Sequence, residues 1–360
     1  MSMSDTAPQD PAPGNDTPPS DGGFRIFHGN REPHDGIDRR PPPPPWRRFG
    51  PGGSVAASRL GDRERAVTFR TDERIVDMVN TALHLRRPLL VTGKPGSGKT
   101  TLAYNIAYEL GLEPVLRWPI NSRTTLRDGL YDYDAIARLQ DTGLRKGWNA
   151  LGRPPGPTSG DEDDAGEDVP DIGRYIRLGP LGTALLPSER PRVLLIDELD
   201  KGDIDLPNDL LNVLEEGRFG IPELERLPDD RPLVEVMTAD EGGRATIRRG
   251  RVRCSDFPIM IITSNGEREF PPAFLRRCLR VVIEPPDRDQ LADIVTAHLG
   301  ASADAEYVHV IRDFLARRTR ADLATDQLLN AIFLAMSRPP ETTRDELMDE
   351  ILRPLDTKGP

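Results

Sequence analysis

Gly93-Lys94-Pro95-Gly96-Ser97-Gly98-Lys99-Thr100 follows the spacing G-x-x-x-x-G-K-T, with Thr101 directly behind it. Glycines at those positions let the chain fold back so that successive N–H groups point inward. A helix opening at Thr101 would add partial positive charge from its N-terminus. Such a nest suits a chain of phosphates. Lys99 would reach the β- and γ-phosphates of a nucleotide, and the Thr100 hydroxyl would hold Mg²⁺. A second pair, Asp197-Glu198, stands far downstream at the end of an apolar run. Asp197 can complete the Mg²⁺ shell, and Glu198 can polarise an attacking water. Loop and acids together point to nucleotide hydrolysis rather than binding alone. The guanine-reading pattern N-K-x-D is absent, which favours ATP over GTP.

Those groups need strands and helices to hold them. Pro88-Leu89-Leu90-Val91 is a short apolar run of the kind buried in a parallel sheet, and Leu102, Ile106 and Leu110 then recur at helical spacing up to Gly111. Val193-Leu194-Leu195-Ile196 is a second such strand, and it delivers the acids to the carboxyl edge where open α/β sheets bind ligands. Pro258 to Thr263 is a third and brings Ser264-Asn265 to the same edge; Val281-Val282-Ile283 is a last one. Upstream, Thr71 or Asp72 can cap a helix with the apolar face Ile75, Met78, Val79, Ala82 and Leu83. Val115 to Trp118 reads as a strand, and Asn121 to Thr125 as the cap of a helix that Tyr131-Asp132-Tyr133-Asp134 continues toward Leu139. Leu206, Leu210, Val213 and Leu214 trace a helix ending near Gly217. Residues 233–253 alternate about Glu241-Gly242-Gly243 as a β-hairpin whose second arm carries Arg244, Arg248, Arg249, Arg251 and Arg253. Pro271-Pro272 opens a short helix with Arg276, Arg277 and Arg280. From Asp287 onward the periodicity is helical, with inward faces marked by Leu291, Ile294 and Val295, by Ile311 and Phe314, and by Leu328 and Ile332.

The fold class expected is α/β: a parallel sheet sandwiched by helices, followed by a small α-helical lid. Residues 1–62 are rich in Pro, Gly, Asp and Ser and read as a disordered tail, with Pro41 to Pro45 a possible polyproline II docking segment. Residues 63–285 form the nucleotide-binding domain, 286–354 the lid and 355–360 a short tail. An acidic loop at about 152–171 reads as a solvated insertion. Net charge of −11 disfavours a general affinity for nucleic acid or anionic membrane. The two cysteines and five scattered histidines make neither a disulfide framework nor a zinc site. No run is apolar enough to span a bilayer and no signal-peptide core opens the chain, so a cytoplasmic protein is expected.

GKPGSGKT at residues 93–100, LLIDELDK at 194–201, LPNDLLNVLEEGRF at 206–219 and TSNGEREFPPAFLRRCLR at 263–280 together resemble the AAA+ ATPases, in particular the MoxR-like branch. RLGPLGTALL at 177–186 fits the same pattern. The resemblance covers roughly residues 68–336. It implies that Asn265 is the sensor-1 residue beside Glu198. It also implies that Arg277 is an arginine finger given to the adjacent subunit, with Arg276 as competitor. The segment after Asn121 would be an inserted helix-2 element, and the Arg-rich hairpin a pre-sensor-1 hairpin facing pore or substrate. Residues 324–327 offer no sensor-2 arginine, although Arg318 and Arg320 lie just upstream. The family further implies a ring, most often a hexamer, that remodels or assembles partner proteins, among them proteins with von Willebrand factor A domains. The alternative is a nucleic-acid motor or defence-system ATPase using the Arg-rich hairpin. A small-molecule kinase has no place for Asp197-Glu198, Asn265 and the arginine pair.

Overall fold

The computed structural model describes residues 26–40, 72–150, 171–299, 308–318, 323–336 and 348–353. The strands are β1 (Leu89–Thr92), β2 (Leu116–Pro119), β3 (Tyr131–Tyr133), β4 (Ile176–Leu178), β5 (Val193–Asp197), β6 (Arg218–Gly220), β7 (Leu233–Met237), β8 (Arg244–Arg248), β9 (Arg251–Arg253), β10 (Ile259–Ser264) and β11 (Leu279–Val282). The longer helices are α1 (Glu73–Leu85), α2 (Lys99–Glu109), α3 (Ala135–Ala150), α4 (Leu206–Glu216), α5 (Arg288–Leu299), α6 (Val308–Arg318) and α7 (Thr325–Met336). Among the described residues no helix is long and apolar enough to cross a membrane. Pro41 to Pro45 and nearly all of the acidic loop lie outside the described residues.

A parallel sheet in the order β11-β1-β10-β5-β2 is the frame on which the site hangs. Its central strands are buried on both faces, so their side chains divide by parity. Leu90, Leu194, Ile196 and Ile262 face one core cluster, while Leu89, Val91, Val193, Leu195 and Ile261 face the other. The first cluster continues into a second sheet, ordered β3-β4-β7-β8-β9-β6, and into α4. The other is closed by α1 and α2. Asp72 caps α1 by accepting the Ile75 N–H at 2.8 Å, which satisfies one otherwise orphaned donor of the first turn. A third, separate apolar cluster gathers Leu291, Val295, Ile311, Phe314, Leu328 and Ile332 in the C-terminal helices.

Four expectations change. Ile26, Phe27 and Ile37 are buried among the residues of α1 and α2, so part of the segment expected to be a disordered tail is a packed strap. A short apolar island is enough when a pre-formed groove receives it, because the ordering entropy is then offset by burial. Tyr131 does not continue a helix: the helix Leu126–Leu130 stops, and β3 pairs antiparallel with β4 before α3 begins. The buried Tyr131 ring fits a pleated surface, and its hydroxyl donates to Glu223 at 2.8 Å. The hairpin of β7 and β8 forms with Gly242 in the left-handed region. Arg249 and Gly250, with φ of 52° and 65°, then turn the chain a second time into β9, so the arginines sit on two strands and a turn rather than one arm. Finally, the short helix after Pro271 spans only Pro272–Leu275; Arg276 ends it, Arg277 follows it and Arg280 belongs to β11.

Candidate functional site

Parallel pairing puts the carboxyl ends of β1, β10 and β5 side by side, and the groups singled out by their chemistry leave from those ends. Thr92 pairs with Ser264, and Ile262 with Ile196, so the phosphate-type loop, Asn265 and Asp197-Glu198 meet at one edge. They line a cavity of about 470 Å³, bounded opposite by Gln290, Asp293 and Ile294 of α5 and by Thr325 and Leu329 of α7.

The loop from Gly93 to Gly98 works through its backbone. Gly96 has φ 74°, and a β-carbon there would lie 2.6 Å from the Thr325 amide nitrogen. Only a glycine permits both that conformation and that approach. Thr325 Oγ1 in turn donates to Gly96 O at 2.8 Å, tying α7 to the loop. Gly98 caps α2 in the left-handed region, which turns the first amides of the helix toward the cavity. Lys99 is buried, and its Nζ donates to Gly93 O at 2.7 Å and Lys94 O at 2.8 Å. Burial lowers its pKa, against the pull of Asp200, Glu198 and Asp197. Ser97 Oγ is buried beside Gly93 with no hydrogen-bond partner among the described residues.

Asp197 is the hub of the acidic side. Thr100 Oγ1 donates to its Oδ1 at 2.9 Å and Thr263 Oγ1 to the same oxygen at 2.8 Å, while Thr263 Oγ1 accepts the Glu198 amide at 2.8 Å. Arg117, on β2, donates to Asp197 Oδ2 through Nε at 3.1 Å and Nη2 at 2.7 Å. Burial alone would lower the Arg117 pKa, but the hydrogen bond and charge of Asp197 outweigh it and hold the guanidinium above its ordinary value. Glu198 has φ 62°, an uncommon backbone for a residue that is not glycine. That turn leaves its carboxylate half exposed in the cavity, with Lys201 Nζ at 2.9 Å from Oε1. The buried Asp200 Oδ2 accepts the amides of Asn265 at 2.9 Å and Glu267 at 3.1 Å, fixing the turn on which Asn265 stands. Asn265 Nδ2 donates to Glu267 Oε1 at 3.3 Å.

Four of the expected site residues do not line this cavity: Gly93 and Lys94 at the start of the loop, and Arg276 and Arg277. Arg276 is exposed, and neither it nor Arg277 lines the cavity of its own chain. Arg277 Nε donates to Glu215 Oε1 at 2.6 Å and Nη1 to Ala273 O at 2.8 Å, so its guanidinium is already engaged. Of the hairpin arginines, Arg244 pairs with Glu235 at 3.2 Å, Arg249 with Asp229 at 3.5 Å and Arg251 with Glu225 at 3.4 Å. Conversely, Arg31 and Arg117 belong to the site or its support and carry no motif of their own. Asp200 and Thr263 lie within the motifs LLIDELDK and TSNGEREFPPAFLRRCLR, where no role was attached to them.

Chemically, one end of the cavity offers Lys99 and the N-terminus of α2, a donor set that fits polyphosphate oxygens. The Thr100 hydroxyl and Asp197 carboxylate are hard oxygen donors of the kind Mg²⁺ takes. Glu198 brings a half-exposed carboxylate to the same edge. Residues 88–278, more than half of the chain, match the family model of the AAA domain (dynein-related subfamily). No curated protein matches the chain.

Proposed function

The chain belongs to the AAA domain family, in its dynein-related subfamily, and from that premise we propose a Mg²⁺-dependent ATPase of MoxR-like type. The observation that carries this reading is the convergence of Lys99, Thr100, Asp197, Glu198 and Asn265 on one cavity. In the proposed reaction Gly93 to Thr101 bind the triphosphate, Thr100 and Asp197 hold Mg²⁺, and the ion screens charge on the β- and γ-phosphates. Glu198 accepts a proton from the attacking water, which Asn265 orients. Residues 63–285 serve as the nucleotide-binding domain and 286–354 as the lid.

A further cation for the γ-phosphate comes from a neighbouring subunit. The exposed Arg276 is better placed to leave its own chain than Arg277, which Glu215 and Ala273 hold. We therefore place the finger within this pair and favour Arg276. A finger given in trans makes a ring, with six subunits by family resemblance, the active form. Its work is the remodelling or assembly of partner proteins, with von Willebrand factor A domain proteins as the partner class the MoxR resemblance suggests. The alternative of a nucleic-acid motor draws on hairpin arginines of which Arg244, Arg249 and Arg251 are matched in place by acids.

Phosphate release with and without Mg²⁺ tests the reaction. Lys99→Ala should lose nucleotide binding. Glu198→Gln should bind ATP and turn it over about 10²–10⁴-fold more slowly, the range of a lost general base. Undiminished turnover by Glu198→Gln would remove that residue from the chemistry.

A further inference from the structure

The strap of residues 26–40 is held by polar side chains of α1 and α2. Asn80 of α1 is fully buried; its Oδ1 accepts the amides of Ile26 at 2.6 Å and Phe27 at 3.0 Å, and its Nδ2 donates to Phe27 O at 2.9 Å. Glu109, the last residue of α2, is also fully buried and accepts the amides of His28 and Gly29, the latter at 3.0 Å from Oε2. His34 closes the grip, with its amide donating to Glu109 O at 3.1 Å and its Nε2 at 3.3 Å from Glu109 Oε1. A buried carboxylate and carboxamide are costly unless satisfied, and these two draw most of their partners from the strap, with Val76 O accepting from Asn80 Nδ2 at 2.9 Å within α1. The strap is therefore a built element.

Between the amides held by Glu109 and the His34 grip, Arg31 adopts φ 65°, a conformation disfavoured for any residue with a β-carbon. Strain of that kind persists where the surroundings over-determine it. The consequence of the turn is that Arg31 lines the same cavity as the phosphate-type loop. The direction of its approach can be read from the anchors. Glu109 lies at the end of α2 opposite Lys99, roughly 15 Å along the helix at about 1.5 Å per residue. The strap thus enters from the side away from the phosphates. The cavity's lining includes the apolar side chains of Ile75, Ile294 and Leu329, which suit the faces of a planar base, beside the polar Asp72, Gln290 and Asp293.

We propose that Arg31 is a base-contacting residue of the nucleotide site, its guanidinium plane lying on the purine ring, and that the strap serves to deliver it there. The proposal rests on the nucleotide reading above and adds to it a recognition element outside the matched family span. Guanidinium is planar and weakly hydrated and stacks on aromatic faces, which an ammonium does not.

The test is equilibrium binding of ATP and of inorganic triphosphate, both with Mg²⁺, to the full chain and its variants. Arg31→Ala should weaken ATP binding about 3- to 30-fold, the span of a cation–π contact, and leave triphosphate affinity unchanged. Arg31→Lys should recover only part of the loss, since an ammonium keeps the charge but not the planar stacking. Arg31→Gly should lose ATP affinity equally while tolerating the left-handed backbone, which separates lost contact from a damaged fold. ATP affinity unchanged in Arg31→Ala, an equal loss for triphosphate, or full rescue by Arg31→Lys would each overturn the proposal. If the wild-type chain bound no ATP, the nucleotide reading would fall and this proposal with it. Wild-type binding with an indifferent Arg31 would bring down this proposal alone.

Discussion

The two ends of the cavity are built in different ways. The phosphate end comes from one contiguous loop and from the ends of β5 and β10, strands whose every residue is buried. The other end is drawn from the strap, α1, α5 and α7, residues 31, 75, 294 and 329, which no local pattern links. It exists only because separate clusters pack beside one another, and α7 is tied to the loop through the Thr325–Gly96 contact. One end has its geometry from a single loop set on paired strands, and the other from the packing of separate segments. Substitutions should accordingly act on chemistry at the first and on affinity and stability at the second.

The largest effect tests whether the phosphate end is complete within one chain. Arg276→Ala should slow hydrolysis about 10³–10⁵-fold, as expected for a lost arginine finger, with ATP affinity little changed. Mixing it with Lys99→Ala protein should restore part of the activity, since mixed assemblies pair a sound pocket with a sound finger. If Arg276→Ala keeps full activity while Arg277→Ala does not, the finger is Arg277 and the Glu215 pairing must open. Activity in both would show that the phosphate end needs nothing from a neighbour.

At the opposite end Phe27→Ala should cost about 3–5 kcal/mol, the usual range for a fully buried aromatic ring, read as a lower urea midpoint. A change within about 0.5 kcal/mol, typical of a surface site, would mean that the strap contributes nothing to the second cluster. This element also marks the limit of what the sequence discloses. Lys99, Asp197 and the strands that carry them are legible because period, turn chemistry and motif all lie within a few residues of each other. The strap is not, because its partners Asn80 and Glu109 lie more than fifty residues away and its composition is that of a tail. Ile26-Phe27 and Ile37 were the only signal. Tyr131 departs from the expected helix for the same reason, since its strand exists through pairing of residues 131–133 with residues 176–178, distant in sequence. Arg117 is invisible to any motif, since its role depends on β2 lying next to β5.

Gly96 is where the two ends touch, and its substitution should show a smaller effect on both. Gly96→Ala forces a β-carbon to 2.6 Å from Thr325 N and keeps a positive φ, so α7 must shift. Overpacking of this order costs about 1–3 kcal/mol, which should appear as roughly a 5- to 150-fold loss of ATP affinity with the fold retained. Unaltered affinity would mean that the C-terminal helices do not need to approach the loop for binding.

The smallest effect concerns Arg117 and asks which force at Asp197 prevails. Its guanidinium does two things: it fixes Oδ2, and it places a positive charge beside the donors proposed for Mg²⁺. Loss of orientation would weaken the metal, and loss of charge would strengthen it. Oδ1 is held independently by Thr100 and Thr263, so orientation should survive in Arg117→Ala. The charge term then decides. A unit charge and a divalent ion about 6 Å apart repel by about 1 kcal/mol at the dielectric of water, and the Arg117 side chain is 45% exposed, so this estimate applies better than an interior one. Arg117→Ala should therefore lower the Mg²⁺ concentration needed for half-maximal nucleotide binding by several-fold. Added salt should shrink the difference, because an exposed charge is screened within about 10 Å at 0.1 M ionic strength. A rise in the Mg²⁺ requirement that salt does not alter would instead show that Arg117 acts by holding Asp197 in place.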